Sequence, residues 1–261
     1  MKPNNTTAAQ SHTLSSEHPP SSHAEGLVPL KLIVSVGQPG SGKSLLSQVI
    51  ADSCGLLERE DVFLGDGEEG SNLVFSKLSV SKIQRVKLDS EKDIEKLITR
   101  MEEKKRTKAL IDTKGSSQVS IEQAFGDFKT VTESAVDIIP CVIVGTREGA
   151  ETVGLDWLRI LKDLPKIYWV WNHQRYGEED KRKLPDDLPC DPSIVTEIHI
   201  PALRDDIARE IIANGILMSS VVAGKVPEST LLSHRIVKQA VARWLVTATA
   251  ALAPIHAEFA E

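Results

Sequence analysis

The segment GQPGSGKS, residues 37–44, has the residue types and the spacing of a phosphate-binding loop. It satisfies the pattern G-x-x-x-x-G-K-[S/T], in which glycines let the backbone wrap a phosphate with several N–H groups directed at it. Lys43 would add a cation at the outer phosphates, and the Ser44 hydroxyl would ligate Mg²⁺. The alternative is a glycine-rich turn without a ligand. The pattern favours a site for a nucleoside triphosphate with Mg²⁺, and its predicted nucleotide-binding residues are Gly37, Gln38, Pro39, Gly40, Ser41, Gly42, Lys43, Ser44 and Leu45.

Acidic and amide side chains end or follow three other apolar segments. Asp112 ends the segment ALID, and we expect it to hold Mg²⁺ through water, with capping of the following turn as the alternative. In the segment GDGEEGSN, Asp66 or Glu68 is a candidate for orienting an attacking water, unless the segment is only a flexible acidic loop. Asn172, at the end of KIYWVWN, is predicted either to hydrogen-bond a nucleobase edge or to cap the end of a strand.

The elements that must position these residues alternate along the chain. Mostly apolar strands, several of them followed by amphipathic helices, predict an α/β fold with a mostly parallel sheet covered by helices on both faces. Ligands in such sheets bind beyond the carboxyl ends of the strands, where the charged and glycine-rich segments lie. Pro140 indicates that the fourth strand has an irregular or edge start. The predicted strands are residues 30–36, 62–64, 109–112, 138–144, 166–172 and 195–200, and the predicted helices are residues 44–54, 91–103, one that includes 157–161, and one or two within 228–261.

The last helical stretch carries an apolar stripe that we expect to face the core rather than a membrane surface or a partner. Its polar face has too few Lys and Arg residues for an anionic-lipid anchor. The predicted stripe consists of Ile236, Val237, Ala240, Val241, Trp244 and Leu245.

Composition limits the function classes. A formal charge of −6 and an aromatic content of 4% argue against a protein that coats nucleic acid, although a local basic patch remains compatible with them. Residues 1–27 are polar and predict a disordered tail, and residues 28–261 are predicted to form one α/β domain. No apolar run is long enough to span a bilayer, and the first residues do not have the pattern of a signal peptide. These features, with three scattered cysteines, predict a cytoplasmic location.

With these residues in place, the chain resembles the ParA/MinD group of P-loop ATPases. Within that group it is most similar to the TraL/StbB-type proteins of conjugative and partition-bearing plasmids. The resemblance implies the P-loop NTPase fold, and it spans residues 30–177. It depends on the order of five segments: GQPGSGKS, DGEEGSNLVFSKL, LIDTKGSS, VIVGTREGAETVGLDWL and WVWNHQRYG.

The resemblance also implies roles for individual residues. The water-positioning carboxylate falls on Glu68, preceded by Asp66, and the carboxylate on the magnesium side falls on Asp112. The adenine-reading amide falls on Asn172. Gln38 occupies the place of the signature lysine that reaches across an ATP-bound dimer in this group, and a neutral amide does not supply that charge. The resemblance therefore implies a slow ATPase that is a monomer or a weak ATP-dependent dimer, unless a partner or Arg147 supplies the cation.

The sequence is compatible with three alternative functions. The first is an ATPase that switches its affinity for a partner, such as a small DNA-binding adaptor protein, with an indirect contact to DNA. The second is a kinase that phosphorylates a small molecule or a peptide, because GQPGSGKS also resembles the loop of zeta-toxin-type kinases. In a kinase, the cations of the polar loop 173–193, which are Arg175, Lys181, Arg182 and Lys183, could form a lid. The third is a module that binds nucleotide without hydrolysing it.

Overall fold

The computed structural model describes residues 30–67, 82–88, 90–113, 136–173 and 182–260, with only the backbone of Glu91. The predicted tail of residues 1–27, the candidate Glu68 and the loop residues 174–181 lie outside the described residues.

The described strands form one sheet in which every pairing is parallel. Seven strands are arranged in the order β3-β2-β4-β1-β5-β6-β7. The first described strand, β1, lies at the centre, so the segment that follows it reaches the middle of the carboxyl edge. The strands are β1 (Leu30–Gly37), β2 (Val62–Asp66), β3 (Ile83–Arg85), β4 (Lys108–Asp112), β5 (Val136–Val144), β6 (Ile167–Asn172) and β7 (Val195–Ile200).

Helices cover both faces of the sheet, as the sequence predicted. One face packs against α2 and α3, and the other packs against α1 and the helices that follow β7. The sheet is thus the central layer of an α/β fold with the P-loop at its middle strand, which is the predicted P-loop NTPase fold. The helices are α1 (Lys43–Ser53), α2 (Glu91–Glu103), α3 (Ala150–Leu161), α4 (Asp205–Asn214), α5 (Met218–Val222), α6 (Arg235–Ala251) and α7 (Ala253–Ala260).

Alternation along β1 shows how the sequence divides its side chains between the two faces. Leu32, Val34 and Val36 lie in the core beside α2 and α3, whereas Ile33 lies in the core beside α1. Ser35 shares the face of Ile33, and its hydroxyl lies 3.1 Å from the Ser47 hydroxyl of α1. This buried hydroxyl pair fixes α1 against the strand that leads into the P-loop.

Strand β3 and helices α4 and α5 were not predicted, and the structure bears on two other predictions, which concern Pro140 and the apolar stripe of α6. Strand β5 begins at Val136, ahead of Pro140, and its pairing with β6 starts only at Cys141, so the start of the strand has β1 as its one described partner, which agrees with the predicted edge start. The missing N–H of Pro140 is therefore tolerated where the strand pairs with β1 only. Ile236 is 74% exposed, so it does not belong to the apolar stripe of α6, which is narrower than predicted and buries Val237, Val241, Trp244 and Ala248.

Within the described residues, no helix is both long enough and apolar enough to cross a membrane.

Candidate functional site

The P-loop leaves the carboxyl end of β1 at Gly37 and enters α1 at Lys43. Gly37 has a φ of +140°, and a Cβ at this position would lie 2.4 Å from the carbonyl oxygen of Ile143 in β5. Glycine is therefore required here, both for the backbone conformation and for the close approach of the neighbouring strand. Gly40 and Gly42 also have positive φ values, and the Ser41 N–H closes a turn by donating to the Gln38 carbonyl at 3.1 Å.

Lys43 lies inside the curve of this loop. Its ammonium group donates to the carbonyl oxygens of Gly37 and Gln38, each at 3.3 Å, and the residue is only 5% exposed. Ser44 follows in the first turn of α1 and is half-buried. Leu45 is buried in the core between α1 and the sheet, so it could meet a nucleotide only through its backbone.

Two carboxylates are buried at the ends of neighbouring strands. Asp66 of β2 and Asp112 of β4 lie directly opposite each other in register, and they are 1% and 0% exposed. Asp112 is in turn opposite Ser35 of β1, so all three side chains point to the face of the sheet that α1 covers. The residue that follows β2 is also joined to the end of β4, because the Gly67 N–H donates to the Asp112 carbonyl at 2.7 Å.

These residues fit a magnesium ion that is bound together with phosphates. Mg²⁺ prefers oxygen ligands, and it is usually held by one or two carboxylates or hydroxyls together with phosphate oxygens and water. Ser44 and Asp112 offer that donor set at the edge where the P-loop lies. In the described part of the chain, no group of three or more His, Cys, Asp or Glu side chains could hold a metal ion by itself. Phosphate oxygens and water would therefore have to complete the coordination.

The turn after β5 is joined to the P-loop by two hydrogen bonds. Arg147 donates to the Pro39 carbonyl at 3.0 Å, and Gln38 donates to the Glu148 carbonyl at 3.4 Å. The Arg147 guanidinium lies over Gly40, where a Cβ would be 2.6 Å from its Cζ atom. The sequence named Arg147 as a cation that could replace the missing lysine, and the structure places it against the P-loop of its own chain.

Asn172 contacts the P-loop from the end of β6. Its side-chain amide donates to the Ser41 carbonyl at 2.7 Å, and the residue is 7% exposed. The amide therefore fixes the backbone of the loop, and reading of a nucleobase edge by Asn172 stays a prediction. Arg182 supports the same region, because it donates to the Gly145 carbonyl at 3.1 Å and lies 4.9 Å above the ring of Trp171.

A chain of polar contacts beside Asn172 was missed at the sequence level. The His173 and His199 rings are stacked, with Nε2 of His173 3.0 Å from Nδ1 of His199. His199 also lies 3.3 Å from the Glu197 carboxylate, which accepts a hydrogen bond from the indole of Trp171. In the sequence, Glu197 and His199 are two residues apart on β7, which places them on one face of the strand. That spacing does not indicate which residues of the neighbouring strand they contact.

The remaining candidates either fall outside the described residues or face solvent. Glu68, Arg175 and Lys181 lie outside the described residues, and Lys183 is exposed. Of the two lid cations that the structure describes, Arg182 is hydrogen-bonded to the protein and Lys183 faces solvent.

Comparison with family models and with curated proteins gives no match. Among solved structures, the chain is similar to FtsY from Mycoplasma mycoides, with 16% sequence identity, a TM-score of 0.37, and coverage of 55% of this chain and 52% of that chain. It thus spans about half the length of that protein. The chain is also similar to the septum site-determining protein MinD from Pyrococcus horikoshii OT3, complexed with Mg-ADP. That similarity has 16% identity, a TM-score of 0.46, and coverage of 81% of this chain and 94% of that chain.

Proposed function

We propose that this protein is an ATP-binding, slowly hydrolysing P-loop ATPase of the ParA/MinD type. The observation that carries the proposal is the position of Lys43, which is buried inside a glycine loop at the central strand. The carboxylates of Asp66 and Asp112 lie at the ends of the next two strands on that side. Charged groups of both signs at one edge suit phosphates and a divalent cation, whereas they contribute little to a hydrophobic core.

Each residue has a distinct task in this proposal. The loop N–H groups and the amino end of α1 bind the phosphates, and Lys43 stabilises charge on the outer ones. Ser44 and Asp112 hold Mg²⁺, which neutralises phosphate charge when it is bound. Glu68 orients the attacking water, with Asp66 as the alternative two residues earlier.

The proposed role is a nucleotide switch in plasmid partition or stability, or in conjugative transfer. The order of the five segments that resemble the TraL/StbB type supports this role. ATP and ADP forms would differ in affinity for a small DNA-binding adaptor protein in the cytoplasm. A net charge of −6 favours an indirect contact with DNA through that adaptor.

The assembly state follows from Gln38. Its amide donates to the Glu148 carbonyl of the same chain, and the neighbouring cation, Arg147, donates to Pro39. Because the neutral amide of Gln38 does not supply the charge of the signature lysine, we expect a monomer or a weak dimer with ATP and Mg²⁺. Light scattering of a hydrolysis-impaired variant, with and without ATP and beside a Gln38→Lys form, tests this. A tight ATP-dependent dimer of the Gln38 protein that the lysine does not change would contradict it.

Turnover of ATP by the purified protein tests the function itself. We expect slow, Mg²⁺-dependent release of phosphate that needs no acceptor molecule and is absent from a Lys43→Ala variant. Release that depends on a phosphate-accepting molecule would favour the kinase. Binding of ATP without turnover, even after addition of the adaptor and DNA, would favour a non-hydrolysing module.

A further inference from the structure

An exposed cation, Arg147, contacts the P-loop from the turn after β5. Its guanidinium donates to the Pro39 carbonyl at 3.0 Å. It also lies against Gly40, where a Cβ would be 2.6 Å from its Cζ atom and 2.8 Å and 2.9 Å from its two Nη atoms. Because Gly40 has no side chain, the guanidinium reaches the backbone of the loop. The charge is therefore held at two residues in the middle of the loop.

The contact with Pro39 uses little of what an arginine offers. A guanidinium carries five N–H donors and a permanent positive charge. Within the described residues, the Pro39 carbonyl is the one hydrogen-bond acceptor of Arg147, and no carboxylate forms an ion pair with it. A phosphate pairs opposite charges and commonly accepts two parallel bonds from a guanidinium, so it is a stronger acceptor than a carbonyl. An anion beside the loop would therefore attract this side chain away from Pro39.

Lys43 indicates where such an anion would lie. Its ammonium group is 3.3 Å from the carbonyl oxygens of Gly37 and Gln38, and the lysine of a P-loop reaches the outer phosphates of a nucleotide. Arg147 donates to the carbonyl of the next residue, Pro39. Three consecutive carbonyls of the loop thus accept hydrogen bonds from two cations. Arg147 is therefore held one residue along the loop from the acceptors of Lys43.

The backbone that carries Arg147 is fixed on the P-loop. The Gln38 amide donates to the Glu148 carbonyl at 3.4 Å, directly after Arg147. At the start of the same turn, Gly145 packs so closely that a Cβ there would lie 2.9 Å from the Cα atom of Ser41. The turn is therefore attached to the loop on both sides of Arg147. An exchange of the loop carbonyl for a phosphate would need rotation of the side chain alone.

We propose that Arg147 binds the third phosphate of a nucleoside triphosphate held by its own chain, and thereby makes the site prefer ATP to ADP. This role depends on the proposed nucleotide function of the P-loop. With ATP the side chain leaves the Pro39 carbonyl for the terminal phosphate, and with ADP it keeps the carbonyl. A contact made before the reaction raises the affinity and does not by itself accelerate hydrolysis, so it is compatible with slow turnover.

A residue that only holds the shape of the loop would behave differently. ATP and ADP share the two phosphates that the loop wraps, so a loop-holding arginine supports both nucleotides equally. An arginine on the third phosphate supports ATP alone. The two roles therefore differ in one measurable quantity, which is the ratio of the affinities for ATP and ADP.

Titration with fluorescent ADP and with a fluorescent, non-hydrolysable ATP analogue, both with Mg²⁺, measures this ratio without turnover. In Arg147→Gln we expect the affinity for the ATP analogue to fall by about tenfold or more, while the affinity for ADP stays nearly unchanged. Arg147→Lys should keep more of the preference, because it retains the charge but not the planar fork. The matched control is Arg243→Gln, which removes the same charge from an exposed position on α6 and should change neither affinity.

A selective loss of affinity for the ATP analogue in Arg147→Gln would support the proposal, and the retained ADP affinity would show that the variant is folded. Equal losses for both nucleotides, or no loss for either, would overturn the proposal and leave the nucleotide site intact. The same selective loss in Arg243→Gln would also overturn it, since the effect would then come from net charge. A parent protein that binds neither nucleotide would refute the proposed function itself, and with it the role of Arg147.

Discussion

At the amino edge of the sheet, charged side chains are hydrogen-bonded to one another, whereas at the carboxyl edge they lie at strand ends on the side of a glycine loop. The amino edge is organised by Glu258 of α7, whose carboxylate accepts hydrogen bonds from Lys31 at 3.3 Å, Lys166 at 2.7 Å and Tyr168 at 2.7 Å. Lys108 donates to the Phe259 carbonyl next to it, at 2.9 Å. These contacts attach the C-terminal helix to the starts of three strands.

The carboxyl edge has a different arrangement. Lys43 donates to carbonyl oxygens of the loop itself, and Asp66 and Asp112 are neighbours of like charge. The buried hydroxyl of Ser41 has no hydrogen-bond partner among the described residues. Like charges at neighbouring positions are favourable only where a cation compensates them, which makes this edge a candidate site for a cation and its ligand. Within one sheet, the amino edge therefore carries a charge cluster with a structural role, and the carboxyl edge carries a candidate ligand site.

The largest expected difference is between two buried lysines, one at each edge. Lys43 and Lys108 are 5% and 6% exposed, and both donate to backbone carbonyls. Lys43→Ala should lower the affinity for Mg²⁺-ATP by roughly 100-fold while the melting temperature stays nearly unchanged, because a charge-assisted contact to phosphate is lost. Lys108→Ala should instead lower the melting temperature and leave the affinity for Mg²⁺-ATP nearly unchanged. Fluorescent-nucleotide titration and thermal melting measure both, and undiminished affinity in Lys43→Ala would refute the nucleotide site.

The next prediction concerns the carboxylates at the carboxyl edge. Glu68→Gln should lower kcat for ATP hydrolysis by about 100-fold and leave the nucleotide Kd unchanged, since a water-orienting group acts in the chemical step. Asp112→Ala should instead weaken the Mg²⁺-dependent part of nucleotide binding. If Glu68→Gln hydrolyses ATP at the parent rate while Asp66→Asn does not, the water-orienting role belongs to Asp66.

Most strands and helices could be predicted because parallel strands buried on both faces are nearly continuous apolar segments. The helix α2 and the strand β7 have the predicted bounds, and β4 differs by one residue. Strand β3 was missed because it has three residues, of which only Ile83 is buried. An edge strand this short has too few positions to show a pattern.

The P-loop could be predicted as a unit and Asp66, Asp112 and Asn172 as separate candidates, whereas the contacts that hold the loop could not be predicted. The P-loop is contiguous in the sequence, so its pattern is visible there. Arg147 and Asn172 both contact the P-loop by donating hydrogen bonds to its backbone carbonyls. Every residue has such a carbonyl, so these contacts leave no trace in residue types.

A smaller effect, on the free energy of unfolding, is expected from Glu258 at the amino edge. Burial raises the pKa of Glu258, but hydrogen bonds from Lys166 and Tyr168 more than offset it, so the pKa lies below its usual value. A carboxyl group with a lowered pKa stabilises the fold above its unfolded pKa of about 4.5, and this contribution is lost as the pH falls further. Glu258→Gln should therefore cost about 1–3 kcal/mol at pH 7. Its difference from the parent should shrink below about pH 4.5. Urea unfolding across this range measures it, and a constant difference would refute the ionised role.

The smallest effect is expected from Asn172, and it decides between two roles at the carboxyl edge. Its amide donates to the Ser41 carbonyl at 2.7 Å, so Asn172→Ala should loosen the P-loop and weaken nucleotide binding by roughly tenfold. The exposed Asn214, which donates to the Glu210 carbonyl on α4, is a matched control whose removal should leave binding unchanged. A residue that only positions the loop affects ATP and GTP equally, because both carry the same phosphates. A residue that reads adenine lowers the affinity for ATP alone. Titration of both nucleotides with both variants therefore distinguishes loop positioning from base recognition, and unchanged binding of both nucleotides to Asn172→Ala would refute either role.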